Sequence, residues 1–379
     1  MMKRTILLFA LAACGWRGVC WADARTFDVR AGTCNIRCIT GFDTGDMAWD
    51  SRKSSLVSLV KQTGFDVVGF QEVREDQKTY LASNLSGYVF FAGTKRSSDS
   101  GAEYLPVAYD GSRFDFLDGG TFWLSDTPAV QSKFSASQFC RICTWVLLRD
   151  RQTHGRLIFA NVHLDLVESV RLSQMRVVLD FLKPYAADGA NAIAAGDMNC
   201  DETEGAIAEA TKTLRDAALE AVSVSGPWRT FNGWSYKDPA TEPATGYALS
   251  LPVSGRNPLD GGKRIDFIFV PPSAEVRSYA VVNDTQPGKE TYPSDHYPVC
   301  ADLTLPAKNI VAKGRFTVKV EAACPSVSGM RRFVLTNGAG LDGADNIDFV
   351  LPKWVDRATV EDGEIVIYTK PQPFSIKLR

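Results

Sequence analysis

Tyr292-Pro293-Ser294-Asp295-His296-Tyr297-Pro298-Val299 sets a carboxylate beside an imidazole, immediately ahead of a strand-like run from Val299 to Leu305. α/β folds keep their chemistry at strand ends. The chain has only three histidines, His154, His163 and His296. A Ser-Asp-His triplet alone is a common surface turn, so its meaning depends on whether other strands end in matching partners.

Working outward, several do. Phe27 to Arg37 reads as an opening strand that closes on Asn35-Ile36-Arg37, and Trp49 to Thr63 reads as a helix with Leu56, Leu59, Val60 and Thr63 on one face. Asp66-Val67-Val68-Gly69-Phe70 is a short continuous apolar run, as expected of a strand buried on both faces, and it runs into Gln71-Glu72. A second helix is predicted over Gln77 to Leu85, with strands over Tyr88–Ala92, Leu105–Tyr109, Cys143–Arg149 and Arg156–Val162; Phe122 to Pro128 reads as a surface turn. The Arg156–Val162 strand ends in His163-Leu164-Asp165. A long amphipathic helix, Ser169 to Ala186, then leads to the apolar strand Asn191–Ala195 and to Gly196-Asp197-Met198-Asn199. Four strands therefore end in polar residues, which a bare core does not require.

Residues 223–262 are rich in Gly, Pro, Ser and aromatics, among them Trp228, Phe231, Trp234 and Tyr236. So long a loop points to function, with the aromatics either stacking on a base or sugar or covering a core edge. Sheet resumes at Lys263-Arg264-Ile265-Asp266-Phe267-Ile268-Phe269-Val270, where Asp266 interrupts an apolar run and must be paired or coordinated.

The strand-end set is Asn35, Glu72, Glu103, His163, Asp197, Asn199, Asp266, Asp295 and His296. Hard oxygen donors of this kind suit Mg²⁺ or Mn²⁺, and imidazoles with carboxylate partners suit proton transfer. The motif order Asn-Ile-Arg, Gln-Glu, Glu-Tyr-x-Pro-Val, Asn-x-His-Leu-Asp, Gly-Asp-x-Asn, Arg-Ile-Asp and Ser-Asp-His-x-Pro-Val resembles the endonuclease/exonuclease/phosphatase (DNase I-like) superfamily over roughly residues 26 to 305. The resemblance implies an α/β (α+β) four-layer sandwich, with two packed, mostly antiparallel central sheets flanked by helices. It also implies roles: Glu72, Asn35 and Asp295 as ligands of Mg²⁺ or Mn²⁺; His163, His296, Asp266, Asp197, Asn199 and Glu103 as catalytic groups. Within that set His296 would pair with Asp266, and Glu103 would orient His163. The implied reaction is hydrolysis of a phosphate ester by in-line attack of water. Nuclease-like cleavage comes first, with sphingomyelinase-like or sugar- or inositol-phosphate hydrolysis as the alternative, so the partner is a nucleic acid, a phospholipid or a sugar phosphate. A non-catalytic binding or adhesion protein is the reading from another class. Arg141 is open between a phosphate clamp and a structural ion pair. Arg171 and Gln174 read as structural, and His154 as a solvated turn residue.

The totals agree with a globular enzyme. A chain of 379 residues holds one large core and a small second domain. A formal net charge of -2 and a pI near 6.0 provide no broad basic footprint for tight nucleic-acid binding. Lys3-Arg4 and the short apolar run Ile6–Ala13 read as a targeting segment, with cleavage after Ala24 or a lipobox that places a lipid on Cys14. Either expectation puts a monomeric mature protein, without a membrane-spanning helix, in a secreted or periplasmic setting. The predicted domains are a signal segment 1–24, a catalytic domain 25–305, a linker 306–313 and a small all-β appendage 314–379. Of the nine cysteines, Cys34, Cys38, Cys140 and Cys143 are open between a zinc site, disulfides and buried thiols.

Overall fold

The computed structural model describes residues 4–9, 26–234, 263–307, 316–321, 332–336, 347–350, 355–361 and 364–369. Two compact units divide the chain: Thr26–Pro306, and Met1–Arg25 together with Ala307–Arg379. In the second unit, Arg4–Phe9 (β1) runs parallel to a strand at Phe316–Glu321. The expected cleavage point after Ala24, Cys14 and the linker residues 308–313 lie outside the described residues. So does the loop from 235 to 262.

The larger unit is an α/β fold of two mixed sheets packed together with helices outside. Its elements in order are Thr26–Asn35 (β2), Trp49–Thr63 (α1), Val67–Gln71 (β3), Glu75–Asn84 (α2), Tyr88–Phe91 (β4), Val107–Asp110 (β5), Phe114–Trp123 (β6), Ile142–Asp150 (β7) and Arg156–His163 (β8). Glu168–Ala187 (α3), Asn191–Asp197 (β9), Gly205–Ala210 (α4), Arg215–Asp216 (β10), Ala217–Glu220 (α5), Ser223–Ser225 (β11), Asp266–Val270 (β12), Glu275–Val281 (β13) and Val299–Pro306 (β14) follow. One sheet has the order β11-β13-β14-β2-β3-β5-β4 and the other β10-β12-β9-β8-β7-β6. The β2/β3 and β8/β9 pairs are parallel, because α1 and α3 each carry the chain back to the starting edge between them. The sheets are thus mixed rather than simply antiparallel. Strand for strand, β13-β14-β2-β3-β5-β4 repeats the directions of β6-β7-β8-β9-β12-β10, so the two parallel pairs occupy equivalent central places.

Each sheet buries its outer face under helices. Leu56, Val57 and Val60 of α1 and Leu81 of α2 pack with Cys34, Val68 and Phe70. Met175, Val178 and Leu182 of α3 pack with Ile158, Ala192, Ala194 and Phe267. Across the middle, β3 lies against β8 and β2 against β9. There Asn161 acts as a polar clamp: its Nδ2 lies 2.9, 3.1 and 3.0 Å from the carbonyls of Phe70, Leu105 and Pro106, and its Oδ1 accepts from Gln71 Nε2 at 2.6 Å. The clamp requires Gly69, since a Cβ there would sit 2.5 Å from the Asn161 amide.

β6 and β13 are among the strands that the sequence reading leaves out. β6 covers a stretch left unassigned from sequence and takes in the first two residues of the expected turn, because its Asp115, Asp118 and Gly119-Gly120 suppress the strand pattern; it is an edge strand with a bulge between Phe116 and Asp118. β13 is the other, and it lies between β11 and β14. The loop starting at 223 begins as the short edge strand β11, and Trp228 is core: its ring covers the Arg264 guanidinium at 4.3 Å while Arg264 pairs with Asp216 at 2.5 Å. In the smaller unit, the strands Phe316–Glu321 (β15), Arg332–Thr336 (β16), Ile347–Val350 (β17), Val355–Glu361 (β18) and Glu364–Thr369 (β19) form two three-stranded sheets, β1-β15-β17 and β16-β19-β18.

Replacing Asn161 by Leu strands buried acceptors at the sheet interface, each costing about 1–3 kcal/mol. We expect a loss of at least about 3 kcal/mol in urea unfolding; a midpoint shift equivalent to less than about 1 kcal/mol would show that the clamp is dispensable.

Candidate active site

The C-terminal ends of the two parallel pairs meet. Asn35 lies opposite Gln71 at the end of β2/β3, and His163 lies opposite Asp197 at the end of β8/β9. Asn35 Nδ2 donates to Asp197 Oδ2 at 3.0 Å and to Glu72 Oε1 at 3.2 Å, joining the sheets at this point. β12 brings Asp266 opposite Asp197 in register, and the turn before β14 brings Asp295 and His296. All of these side chains except the half-buried Glu72 and Asn199 are buried. Arg37, Glu72 and Asn199 have φ of 56°, 61° and 51°, a left-handed backbone that non-glycine residues adopt at a cost and that clusters at functional sites.

His296 Nδ1 bonds Asp266 Oδ2 at 2.9 Å, and its Nε2 lies 3.8 Å from Asp197 Oδ2. Burial alone would pull the imidazolium down, but Asp266, by charge and hydrogen bond, and then Asp197 and Asp295 push it up to about 10. His163 is the opposite case. Burial, Arg141 and the His296 cation hold it well below the ordinary histidine value, so the ring is neutral. Its Nε2 is 3.5 Å from Asp197 Oδ2, and its Nδ1 has no hydrogen-bond partner among the described residues. Burial raises Asp197 to about 7 against the pull of His296, with Asp266 adding to the rise. Its Oδ1 accepts from the Asn199 backbone N–H at 2.8 Å, while Asn199 Nδ2 donates to Leu164 O at 2.9 Å.

Glu103 departs from its expected role. It is buried and forms an ion pair with Arg96 at 3.2 Å rather than a hydrogen bond to His163. Burial raises its pKa above the usual carboxylate range despite Arg96, because a carboxylate there is poorly hydrated. The Arg141 side chain is buried, makes no ion pair or hydrogen bond with a described residue, and leaves its Nε unsatisfied next to Glu103 and His163. The structural ion pair is therefore not found. Arg171 and Gln174 do serve the framework: Arg171 bonds Glu204 at 2.6 Å and the Leu166 carbonyl at 2.7 Å, and Gln174 accepts from Asp165 N–H at 2.8 Å, fixing the loop after His163. His154 is an exposed turn residue.

Two donor groups bear on a cation. Asp197, Asp266 and His296 present atoms all within 4.8 Å of one another. A His296 protonated on both nitrogens has no lone pair for a metal, so this trio in its present state is a charge-paired imidazolium. Glu72, Asn35 and Asp295 fit a hard cation better. Asp295 is raised by burial, opposed by His296, and raised further by the neighbouring Glu72 charge, a carboxylate repulsion that a divalent ion would relieve. Cys34, Cys38, Cys140 and Cys143 are free thiols, and no metal-type cluster among the described residues includes a cysteine.

Two further residues border the site: Phe231, open from sequence between stacking on substrate and covering a core edge, and Arg52, which had no reading from sequence. Phe231, at the start of the long loop, is 40% exposed and sets its ring edge-on to His296 at 5.1 Å. Arg52 lies buried beneath the site on α1; its only signal is a charge one turn before Leu56 on the apolar stripe.

Fold and site together are those of a metal-dependent phosphoesterase framework, and the sequence profile of the Endonuclease/Exonuclease/phosphatase family matches residues 32–296. The chain belongs to that family. A solved family protein from Bacteroides thetaiotaomicron is 27% identical with a TM-score of 0.64, covering 74% of this chain and 99% of its own. A mannosyl-6-phosphatase from Bacteroides thetaiotaomicron VPI-5482 is 27% identical, TM-score 0.63, over 73% and 99%. D. rerio TDP2 complexed with single-strand DNA product, 20% identical with a TM-score of 0.53 over 73% and 98%, shares the fold. No curated protein is significantly similar in sequence.

The opposite protonation of the two histidines is directly testable. In cation-free protein at pH 8, NMR of the imidazole nitrogens should show His296 protonated and His163 neutral. A His296 held at about 10 when folded stabilises the fold fully below its ordinary value of 6.5 and loses that stabilisation as pH rises through about 10. The urea midpoint of wild type should fall across that window, and Asp266→Asn should remove most of the slope. A neutral His296 at pH 8 refutes the assignment.

Proposed function

We propose that the chain is a divalent-cation-dependent phosphoric ester hydrolase acting outside the cytoplasm. The observation that carries this reading is the convergence of a charge-paired imidazolium, a near-neutral aspartate and a two-carboxylate oxygen cluster at the ends of four strands. A Mg²⁺ or Mn²⁺ ion held by Glu72, Asn35 and Asp295 would polarise a phosphoryl oxygen and neutralise charge developing on it.

The chain's own groups divide the remaining work. Asp197, poised at about 7, is matched to take a proton from a water at neutral pH, and the Asn199 backbone N–H holds its other oxygen. His296, kept cationic and oriented by Asp266, can donate its Nε2 proton to a phosphoryl or leaving-group oxygen. The unsatisfied Arg141 guanidinium beside neutral His163 offers donors to a phosphoryl oxygen. Asn199 keeps its amide oxygen and one N–H for water or substrate.

For the substrate we favour a small phosphorylated sugar over a nucleic acid. Support comes from the 27% identical neighbour named as a mannosyl-6-phosphatase and from the near-zero net charge, which provides no basic track for a polynucleotide. Phe231, exposed beside His296, offers an apolar face to a sugar ring. Nuclease-like and sphingomyelinase-like cleavage are the competing outcomes. Secretion follows from the N-terminal targeting pattern, and mass spectrometry of the mature protein should find Arg25 or a lipidated Cys14 at its start.

Purified mature protein should hydrolyse mannose 6-phosphate or a related sugar phosphate with Mg²⁺ or Mn²⁺ and stop on chelation. His296→Ala should lower kcat by about 10²–10⁴-fold with the fold intact by circular dichroism. Undiminished turnover in that variant, or activity that survives chelation, refutes the mechanism; preference for DNA, RNA or sphingomyelin in the same panel refutes the substrate.

A further inference from the structure

Arg52 is a fully buried guanidinium with no acidic partner in ion-pair contact among the described residues. Its donors go to backbone carbonyls: Nε to Met47 at 2.9 Å, Nη1 to Ile36 at 2.6 Å and Pro293 at 3.0 Å, and Nη2 to Arg37 at 2.7 Å. These carbonyls belong to two segments distant in sequence. Ile36 and Arg37 directly follow Asn35, and Pro293 lies two residues before Asp295. One rigid, planar group therefore fixes the spacing of two of the three oxygen ligands assigned above.

Two further observations separate Arg52 from a filler. Arg37 is one of the left-handed residues of the site, and such a backbone persists only when its surroundings hold it; Arg52 and Gln77 Nε2 both grip its carbonyl, at 2.7 and 2.8 Å. The guanidinium also lies between two indoles, Trp49 at 5.1 Å and Trp234 at 5.5 Å. Trp234 lies three residues after Phe231, and between them Asn232 N–H and Gly233 N–H donate to the Asp295 carbonyl at 2.8 and 3.1 Å. A cation buried without a carboxylate contact is costly, and an apolar side chain would fill the same space more cheaply.

We propose that Arg52 is a positioning residue that sets the separation of the Asn35 and Asp295 cation ligands and ties it to the Phe231–Trp234 segment beside the substrate. The inference rests on the assignment of Glu72, Asn35 and Asp295 as the cation site. Divalent-ion affinity, rather than turnover, is its direct readout.

The test is Mn²⁺ binding by calorimetry on full-length mature protein and on Arg52→Lys, which keeps the charge but cannot reach all four carbonyls. Groups that orient metal ligands change affinity by about 10–100-fold, and that weakening is expected here. Turnover of the variant should recover toward wild type at saturating Mn²⁺, which a merely destabilised fold would not do. Wild-type affinity in folded Arg52→Lys overturns the positioning role and leaves the cation site standing. Absence of Mn²⁺ binding by wild type overturns the cation site, and the positioning role with it. Should Arg52→Lys fail to fold, Trp234→Leu admits water to the guanidinium without removing it, and a weakening of about 3-fold or more is expected by the same reasoning; unchanged affinity there also overturns the proposal.

Discussion

The hydrogen bond from Asn35 Nδ2 to Asp197 Oδ2 is where the two halves of the catalytic unit meet. Each sheet contributes a parallel strand pair, and the polar ends of those pairs can be buried against each other only if their donors and acceptors match. Asn35 supplies the match by sharing its amide between Glu72 and Asp197. Deeper in the same interface, Asn161 does the equivalent for the backbone, binding carbonyls of the opposite sheet where Gly69 leaves room. The apolar layers above and below supply most of the burial, whereas these two asparagines set the register in which the sheets face one another.

That register determines the electrostatics. Four carboxylates, Glu72, Asp197, Asp266 and Asp295, crowd around one strongly held proton on His296, and a second imidazole stays neutral under the influence of Arg141. Burial works against every charged form here, so the site depends on pairing: Asp266 with His296, Cys38 N–H and Asn35 with Glu72, Asn199 N–H with Asp197. Glu72 and Asp295 still repel each other, and a divalent cation is expected between these oxygen donors. Arg52 lies below this point, in ion-pair contact with no carboxylate among the described residues, and supplies both a positive charge and a fixed backbone spacing.

Much of the framework was legible because hydrophobic period and strand-end chemistry are local. The helix Trp49–Thr63 has the predicted bounds, and Asp266, expected to need a partner because it interrupts an apolar run, has one in His296. β6 was hidden because an exposed, bulged edge strand needs no alternating pattern, and Asp115 and Gly119-Gly120 imitate a loop. Glu103 was matched to His163 by motif order, but Arg96, seven residues away and also desolvated, captures its carboxylate. Trp228 could not be told from a stacking aromatic by composition; its burial over Arg264 makes it core, while Phe231, three residues on, faces the site.

By itself, then, the sequence determined the family, the strand-end residue set and the kind of chemistry those residues support, because each motif is a short stretch whose residue types are dictated by local backbone and local polarity. Only the tertiary structure decided which of those side chains touch. The proton-rich state of His296, the neutral state of His163, the unsatisfied Arg141 and the reach of Arg52 to the Pro293 carbonyl all arise from contacts between segments tens to hundreds of residues apart. Such contacts depend on the packing of two sheets, and no local pattern encodes the distance between them.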